Sequence, residues 1–328
     1  MSGMGRREFV ALLGGTAAWP LAARAQQRTP VIGFLNQGSA EGYQPMVAAF
    51  RQGLEESGYV EGRNVAFEFR WAEGRTERLP AMVADLIQRQ VTVIAATTTP
   101  AALAAKAANT TIPIVFETGG DPIKLGLVAS LNQPAGNITG VTQLNTEVTP
   151  KRVELLRELL PVARIVTLLV NPNDPALVEL ALRASQAATQ RLELELHVLN
   201  AGTEGDFDGV FAQLGQSRTG GLVIGSGAFF TSRLKQLAAL ALRHRVPTVY
   251  ESHAFVAAGG LASYGGRITD AYRLTGVYTG RVLKGAKPGE LPVLQATNVE
   301  LFLNLKTAKV LGVTVPLPLL ARADEVIE

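Results

Sequence analysis

Six short polar segments follow apolar, β-branched runs in this sequence and hold most of the side chains that could do chemistry. They combine glycines with hydroxyl, amide and carboxyl groups and lie at 36–39, 97–100, 117–122, 171–175, 225–227 and 250–252. Free backbone N–H groups at a helix start, with Ser or Thr hydroxyls beside them, suit an anionic or carbonyl group. The segments indicate binding of a small polar molecule, although Thr99, Asp121 and Asp174 could equally be ordinary helix caps.

Eleven side chains in or near these segments are candidates for contacting a bound molecule. A tyrosine at a strand end or helix start offers an apolar ring with a polar tip, which suits a ligand with an organic body. Tyr43 also fits the apolar stripe of its helix, so its ring could instead belong to the core. The predicted ligand-binding residues are Asn36, Gln37, Tyr43, Thr98, Thr99, Glu117, Thr118, Asn171, Ser226, Glu251 and Tyr264.

Sequence patterns for catalysis, metal binding and nucleotide binding are missing. The three histidines, at positions 197, 244 and 253, have no partner at a metal-ligand spacing. Ser226 lies between two glycines, but Ile224 stands where the Gly-x-Ser-x-Gly motif of serine hydrolases has its first glycine. The glycine-rich motifs that hold dinucleotides and phosphates are also missing. We therefore expect no catalytic residue, no metal and no cofactor.

The composition limits the kinds of partner that we expect for this protein. The 328 residues include 31 Lys plus Arg and 28 Asp plus Glu, with no basic run, so the charge footprint of a nucleic-acid-binding protein is absent. The sequence has no cysteine, which excludes disulfides and a lipid-modified cysteine. We expect a monomer that is not tethered to lipid.

Residues 1–25 have the three-part pattern of a bacterial export signal. The pair Arg6-Arg7 gives a positive start, and the apolar stretch 9–23 is shorter than the roughly 20 residues of a bilayer span. Ala23-Arg24-Ala25 then matches a signal peptidase site. The two arginines resemble a twin-arginine signal, although Gly5 stands where such signals usually carry Ser or Thr, and the general secretory route is the alternative. We predict cleavage after Ala25 and a soluble periplasmic product.

Beyond residue 29, short β-branched runs alternate with stretches of helical apolar spacing, which predicts βαβ units and parallel sheets. Helix starts are predicted at Pro100 and Pro122, each next to a Thr or Asp that could cap the helix. A polar segment at 132–140 is interpreted as the approach to a domain boundary. The predicted strands are 31–35, 65–69, 91–97, 112–118, 165–170, 194–199, 221–224, 247–250, 261–264, 291–294 and 299–303.

The fold class predicted from this order is α/β, with two doubly wound parallel-sheet lobes. A long helix at 268–284 would pack back on the first half while the tail returns to the second, so the chain would cross between lobes three times, as a hinge. The predicted N-terminal lobe comprises 30–142 plus 265–288, and the C-terminal lobe comprises 143–264 plus 289–328. Ligands of open α/β sheets bind beyond the carboxyl ends of strands, which places the polar segments in the cleft.

Five groups of residues, in order along the chain, resemble the ABC-type substrate-binding protein family that includes aromatic amino acid carriers of bacterial uptake systems. No single group is diagnostic, but their order over essentially the whole chain makes the match specific. They are 120–122 with 125–131, 134–141, 257–263, 283–288, and 304–312 with 323–328.

This resemblance implies the fold of type I periplasmic binding proteins, with a ligand cleft between the lobes. It also implies solute capture without catalysis, followed by delivery to a membrane permease driven by a separate ATPase. The segments 98–101 and 225–227 match loops that face the cleft in the family. Members that look built for amino acids tend to carry an Asp in the second loop to pair with an ammonium group. This chain has no acid there, so Glu117 or Glu251 would have to supply the carboxylate.

Two other classes of protein fit parts of the pattern. An exported two-domain α/β enzyme could act in the same cleft, but it would need a nucleophile with a base or a metal set. A ligand-sensing ectodomain would need a membrane span or a signalling domain after residue 328. The ligand of a carrier stays open among amino acids, aromatic acids and other small organic solutes.

Overall fold

The computed structural model describes residues 29–216, 220–296 and 298–328. The predicted export signal at 1–25 lies outside these residues. Within the described ranges, no helix is both long and apolar enough to cross a membrane.

The described residues form thirteen strands and twelve α-helices in a largely alternating order. The strands are β1 (Val31–Asn36), β2 (Ala66–Trp71), β3 (Val93–Ala96), β4 (Ile114–Thr118), β5 (Ile138–Thr142), β6 (Ile165–Val170), β7 (Glu195–Asn200), β8 (Gly221–Ile224), β9 (Thr248–Tyr250), β10 (Ala262–Gly266), β11 (Leu294–Gln295), β12 (Val299–Asn304) and β13 (Glu325–Ile327). The helices are α1 (Gln44–Glu56), α2 (Leu79–Gln88), α3 (Thr99–Ala107), α4 (Thr149–Leu159), α5 (Pro175–Arg191), α6 (Asp206–Gln216), α7 (Ala228–Thr231), α8 (Leu234–Arg243), α9 (His253–Ala257), α10 (Ile268–Leu283), α11 (Leu305–Leu311) and α12 (Leu317–Leu320). Short 3-10 turns lie at Thr76–Arg78 and Pro288–Glu290.

These strands build two sheets. The first has the order β11-β5-β4-β3-β1-β2, and the second has the order β13-β12-β10-β9-β8-β6-β7. All pairs are parallel except β10 with β12. The central strands β3, β4, β5 and β8 are buried along their whole length, as strands covered by helices on both faces are. The predicted pair of α/β lobes with mostly parallel sheets is confirmed.

The chain passes between the sheets three times. It leaves the first sheet after β5, returns to it with α10 after β10, and leaves again between β11 and β12. The third passage differs from the prediction, which put 289–295 in the second lobe. Leu294 pairs with Val141 of β5, so β11 extends the first sheet. The side chains of this two-residue strand give too little pattern to identify its sheet.

Helices α1 and α10 pack unusually closely against each other in the first lobe. A β-carbon built at Gly53 would lie 1.9 Å from the carbonyl oxygen of Arg273, and one at Gly276 would lie 2.1 Å from that of Phe50. Each helix therefore presents a glycine to the backbone of the other. This contact fixes α10 on the first lobe, although the helix follows β10 of the second.

One predicted helix start is wrong, and strand β5 was not predicted. No helix begins at Pro122, because residues 122–127 form turns in which the Asp121 carboxylate accepts a hydrogen bond from the Ile123 N–H at 2.8 Å. The polar segment at 132–140 runs into a strand, β5, that the sequence interpretation missed. A β-carbon at Gly140 would lie 2.1 Å from the carbonyl oxygen of Phe116, so this glycine lets β4 and its side chain approach the strand closely.

Candidate functional site

A narrow cavity lies between the lobes, where the carboxyl ends of strands from both sheets face each other. Its first-lobe wall comes from α1, the start of α3 and the end of β4, and its second-lobe wall from the segments after β8 and β9. Six of the predicted ligand-binding residues line it: Tyr43, Thr98, Thr99, Glu117, Ser226 and Glu251. The sequence interpretation did not include among its candidates these further lining residues: Pro100, Gly119, Gln143, Asn145, Leu177, Gly227, Ala228, Thr231 and Ile268.

The start of helix α3 forms one end of the cavity. Thr98 precedes the first helical residue with an extended backbone, and its side chain makes no cap hydrogen bond. Thr99 shares a hydrogen bond of 2.6 Å between its hydroxyl and that of Thr118, and both side chains are buried. Thr118 thereby positions Thr99 from behind. The free N–H groups of this helix end suit a carboxylate or carbonyl oxygen.

Glu117 supplies a buried carboxyl group at the end of β4. The Gln143 amide donates to Glu117 Oε1 at 2.6 Å. Burial raises the pKa of Glu117 to about 8, with a further increase from the Glu251 carboxylate, while the Gln143 hydrogen bond offsets part of the increase. The group is therefore mostly protonated at neutral pH when the cavity is empty.

Glu251 faces Glu117 from the second lobe, and Arg152 lies behind it. Arg152, on α4, is fully buried and donates to the carbonyl oxygens of Tyr264 at 2.8 Å and Asn145 at 2.9 Å. Its guanidinium is 3.7 Å from Glu251 Oε2, an ion-pair distance beyond hydrogen bonding. Glu251 is 8% exposed, and its Oε2 has no hydrogen-bond partner among the described residues. Burial lowers the pKa of Arg152, and the Glu251 carboxylate opposes this.

The segment after β5, where the chain first passes between the lobes, adds the side-chain amides of Gln143 and Asn145, which were not predicted. Asn145 donates to Gln143 Oε1 at 3.0 Å, and its own Oδ1 accepts from the Gly266 N–H at 3.0 Å. Gly266 lies at the second passage, so one hydrogen-bond chain joins two hinge segments to Glu117. No local sequence signal marks this set, because Glu117 and Gln143 are 26 residues apart in the chain and Asn145 and Gly266 are 121 apart.

The second-lobe wall is formed by the loop after β8 and by helix α7. Ser226 turns a buried hydroxyl into the cavity without a hydrogen-bond partner in the described part of the chain. Gly227, at φ +149°, adopts a backbone conformation that favours glycine. Thr231 donates to the Gly227 carbonyl at 3.1 Å and is 3.0 Å from the hydroxyl of Tyr250. The loop therefore has a defined shape around its free hydroxyl.

Tyr43 belongs to the first-lobe core and also lines the cavity. Its ring is 2% exposed and lies 5.9 Å from the Tyr272 ring and 6.2 Å from the Trp71 ring, within the first-lobe core. It also lines the cavity, where burial and the carboxylates of Glu117 and Glu251 raise the pKa of its phenol. Tyr43 is a core residue whose polar end reaches the cavity.

Five predicted residues are placed elsewhere. Asn36 donates to Thr97 Oγ1 at 2.9 Å and lies beside Tyr272, inside the first lobe. Thr118 lies behind Thr99, while Gln37 and Asn171 contact Asp174 at a neighbouring point between the lobes. Tyr264 packs against a core cluster of the second lobe, and its carbonyl holds Arg152.

Asp174 does not have the capping role that its position suggested. It precedes the first residue of α5, but its side chain makes no cap hydrogen bond. Oδ1 accepts from Gln37 Nε2 at 2.6 Å and is 3.4 Å from the Thr76 hydroxyl, both across the cleft. Burial raises the pKa of Asp174 to about 6, partly offset by hydrogen bonds from Gln37, Thr76 and Asn171. Within the described ranges, no group of three or more His, Cys, Asp or Glu could hold a metal ion.

Two solved structures resemble this two-lobed fold over most of its length. A conserved domain protein from Vibrio cholerae has 25% identity and a TM-score of 0.83, covering 91% of this chain and 100% of its own. An ABC domain from Streptococcus pneumonia, solved in complex with L-Trp, has 25% identity and a TM-score of 0.82 with the same coverage. The chain therefore shares its two-lobed fold with both structures.

Sequence comparison leads to the same group of proteins. A tyrosine-binding protein of Clostridioides difficile is 24% identical over 264 residues, which cover 80% of this chain and 75% of that protein. The sequence pattern of one family, described as ABC transporter substrate binding protein, matches residues 32–327. The resemblance found in the sequence is confirmed, and the chain belongs to the ABC transporter substrate binding protein family.

Proposed function

We propose that this protein captures a small organic solute bearing a protonated amine and delivers it to the permease of an ABC importer. The observation that carries the proposal is a pair of buried oxygens in an interlobe cavity that have no hydrogen-bond partner among the described residues. They are Ser226 Oγ and Glu251 Oε2, and the second lies at an ion-pair distance of 3.7 Å from the Arg152 guanidinium. Buried polar atoms normally have hydrogen-bond partners, and a ligand would supply those missing here.

The charges around the cavity favour a ligand with a protonated amine. Glu117 and Glu251 face the same space, and Arg152, a buried cation beside them, already donates to two carbonyl groups. A cationic group between the two carboxyls would complete the charge balance and lower the pKa of Glu117. The carboxylates also take the place of the acid that the loop at Ser226 lacks. A ligand carboxylate would fit the start of α3 at Thr99.

The relatives suggest which solutes to test first. Tyrosine and L-Trp are named for two of them, and the phenol end of Tyr43 lines the cavity beside the carboxyls. We propose aromatic amino acids as the first candidates. Delivery would depend on a permease with its separate ATPase, and the export signal at 1–25 would place the protein free in the periplasm.

The test is isothermal titration of the mature chain with L-tryptophan, L-tyrosine and two matched analogues. Tryptamine keeps the amine and lacks the carboxylate, whereas indole-3-propionate keeps the carboxylate and lacks the amine. We expect the amino acids to bind and indole-3-propionate to fail, because it brings no ammonium group to the carboxyls of Glu117 and Glu251. Equal affinity for indole-3-propionate would contradict the amine assignment.

Substitutions at the two loops test the location. Thr99→Leu with Ser226→Leu should abolish binding, while circular dichroism and the melting temperature show that the fold is kept. A thermal-shift screen of other amines extends the search if both amino acids fail. Absence of any ligand in that screen, together with turnover of an ester or phosphate substrate, would overturn the carrier function.

A further inference from the structure

A second contact between the lobes lies beside the cavity and outside its lining. Gln37, at the end of β1, donates to Asp174 Oδ1 at 2.6 Å, and Thr76 of the same lobe accepts from Gln37 Nε2 at 2.6 Å. Gln37 is fully buried and Asp174 is 4% exposed. Among the described residues, neither belongs to the set that lines the cavity.

We propose that Gln37 and Asp174 form an interlobe latch, a hydrogen bond that exists only in the closed protein and sets how long a captured solute is held. This inference rests on the proposed solute-binding function. Gln37 and Asp174 are positioning residues in this role, because they act on the closed arrangement and need not touch the solute.

The geometry of the latch argues for a role in closure. Asp174 lies at the start of α5 without capping it, so its orientation is not required by its own helix. Its two oxygens are divided between the lobes: Oδ1 faces Gln37, and Oδ2 lies 3.4 Å from the Asn171 amide of its own loop. Opening the cleft would separate Gln37 and Thr76 from Asp174 and leave both lobes intact.

Neighbouring contacts also depend on closure. A β-carbon built at Gly42 of the first lobe would lie 2.9 Å from Ser232 Cα of the second, so the two backbones touch there. Glycine at position 42 permits this close approach. The hydrogen bond between Gln37 and Asp174 is a second contact between the lobes, and it involves a carboxyl group. A hydrogen bond to a charged group contributes about 1.5–3 kcal/mol, which corresponds to roughly tenfold or more in an equilibrium constant.

The kinetic test compares Gln37→Ala with Asn173→Ala. Asn173 lies in the same loop as Asp174 and is exposed, and its side chain donates to Gly202 of its own lobe. For Gln37→Ala we expect at least tenfold faster release of L-tryptophan in stopped flow, with an unchanged association rate. Because the latch forms only after the solute is captured, its loss should raise the release rate and leave the association rate unchanged. Asn173→Ala should behave like the wild type, and equal release rates in the two variants would overturn the latch.

A third variant distinguishes the latch from a general packing defect. Gln37→Glu places a second carboxyl group against Asp174, so repulsion should oppose closure at pH 8. Protonation should restore at least part of the affinity at pH 5. A structural defect would not recover in this way, so a loss that is the same at both pH values would overturn the proposal.

A distance measurement tests the latch without any ligand assignment. The chain has no cysteine, so spin labels can be placed at two new ones, Arg63→Cys and Lys235→Cys, which are exposed positions of opposite lobes. We expect a smaller closed population in Gln37→Ala than in Asn173→Ala, with and without added amino acids. Identical distance distributions would overturn the latch, whereas failure of every solute to bind the wild type would count against the proposed function.

Discussion

Glu117 shows how burial changes the chemistry of one residue. The carboxyl group is taken out of water at the end of β4, and its pKa rises from an ordinary 4.5 to about 8. The native protein therefore binds this proton more tightly than the unfolded chain does. Stability that depends on the proton is complete below pH 4.5 and is lost as the pH rises through 8.

Unfolding at two pH values tests this state of Glu117. Between pH 6 and pH 9, the free energy of unfolding should fall by about 2–3 kcal/mol through this group, measured by urea unfolding. Glu117→Gln keeps the shape without the titration and should lose this part of the slope. Glu41→Gln, which changes an exposed carboxyl group of the same lobe, should keep the wild-type slope. An identical slope in Glu117→Gln would contradict the assignment.

The rule that ligands bind at strand ends predicts part of the site and misses another part for a physical reason. Glu117 lies near the end of β4 and Glu251 directly follows β9, so the sequence alone suggests them. Gln143 and Asn145 lie in a passage between lobes, and Arg152 lies on a helix. Their roles arise from hydrogen bonds to distant residues, which local patterns cannot indicate.

Arg152 connects the site to the hinge at the scale of elements. It joins helix α4 to β10 through the Tyr264 carbonyl and to the first passage through the Asn145 carbonyl, with Glu251 at 3.7 Å. Removing one partner of a buried ion pair leaves the other charge uncompensated. Arg152 therefore contributes to both the position and the solvation of the Glu251 carboxylate.

Substitution of Arg152 should be costly. We expect Arg152→Met to lower the free energy of unfolding by about 3–5 kcal/mol and to weaken solute binding. Lys151→Met is the matched control on the same helix, because the Lys151 side chain is 63% exposed, and it should cost under about 1 kcal/mol. Comparable losses in chemical denaturation of the two variants would refute the role of Arg152.

The packing of α1 on α10 gives another prediction for elements. Gly276→Ala should destabilise the protein by about 1–3 kcal/mol, because the new methyl group meets the Phe50 carbonyl. Gly209→Ala on α6 has open space around the new carbon and should instead stabilise by about 0.5–1 kcal/mol. Thermal unfolding of both variants measures the difference, and effects of the same sign would contradict the close approach.

Prediction of the elements succeeded where apolar side chains form a continuous run or recur at a regular spacing. The apolar runs around Phe34 and Leu168 identify β1 and β6, and regular spacing identifies α1. Strand β5 has the sequence Ile-Thr-Gly-Val-Thr, whose buried threonines and glycine look like a loop. Thr139 is buried because its hydroxyl donates to the Leu291 carbonyl at 2.8 Å, a partner from the far end of the chain. A local sequence pattern does not show that a distant residue will accept the hydrogen bond of such a buried hydroxyl.

Asp174 links the closing of the two lobes to the binding of a proton. In the closed arrangement its pKa is about 6, against an ordinary 3.8. The side chains that face it from both lobes are the neutral Gln37, Thr76 and Asn171, and the phenol of Tyr43 also senses its charge. When the lobes separate, water reaches the carboxyl group and its pKa falls, so closing takes up protons in the window between about pH 4 and pH 6.

The affinity of the whole protein for its solute should therefore depend on pH through this group. From pH 7 to pH 5, protonation of Asp174 should favour the closed state by about tenfold relative to the open one. Glu117 also titrates on closure, so the comparison that isolates Asp174 is wild type against Asp174→Asn. The asparagine keeps an oxygen for Gln37 and cannot take up the proton. The ratio of dissociation constants at pH 7 and pH 5, from titration calorimetry, should be about tenfold larger in the wild type than in Asp174→Asn. If the two ratios agree, the lobes close without burying an ionisable Asp174, and the cleft stays wet at this point.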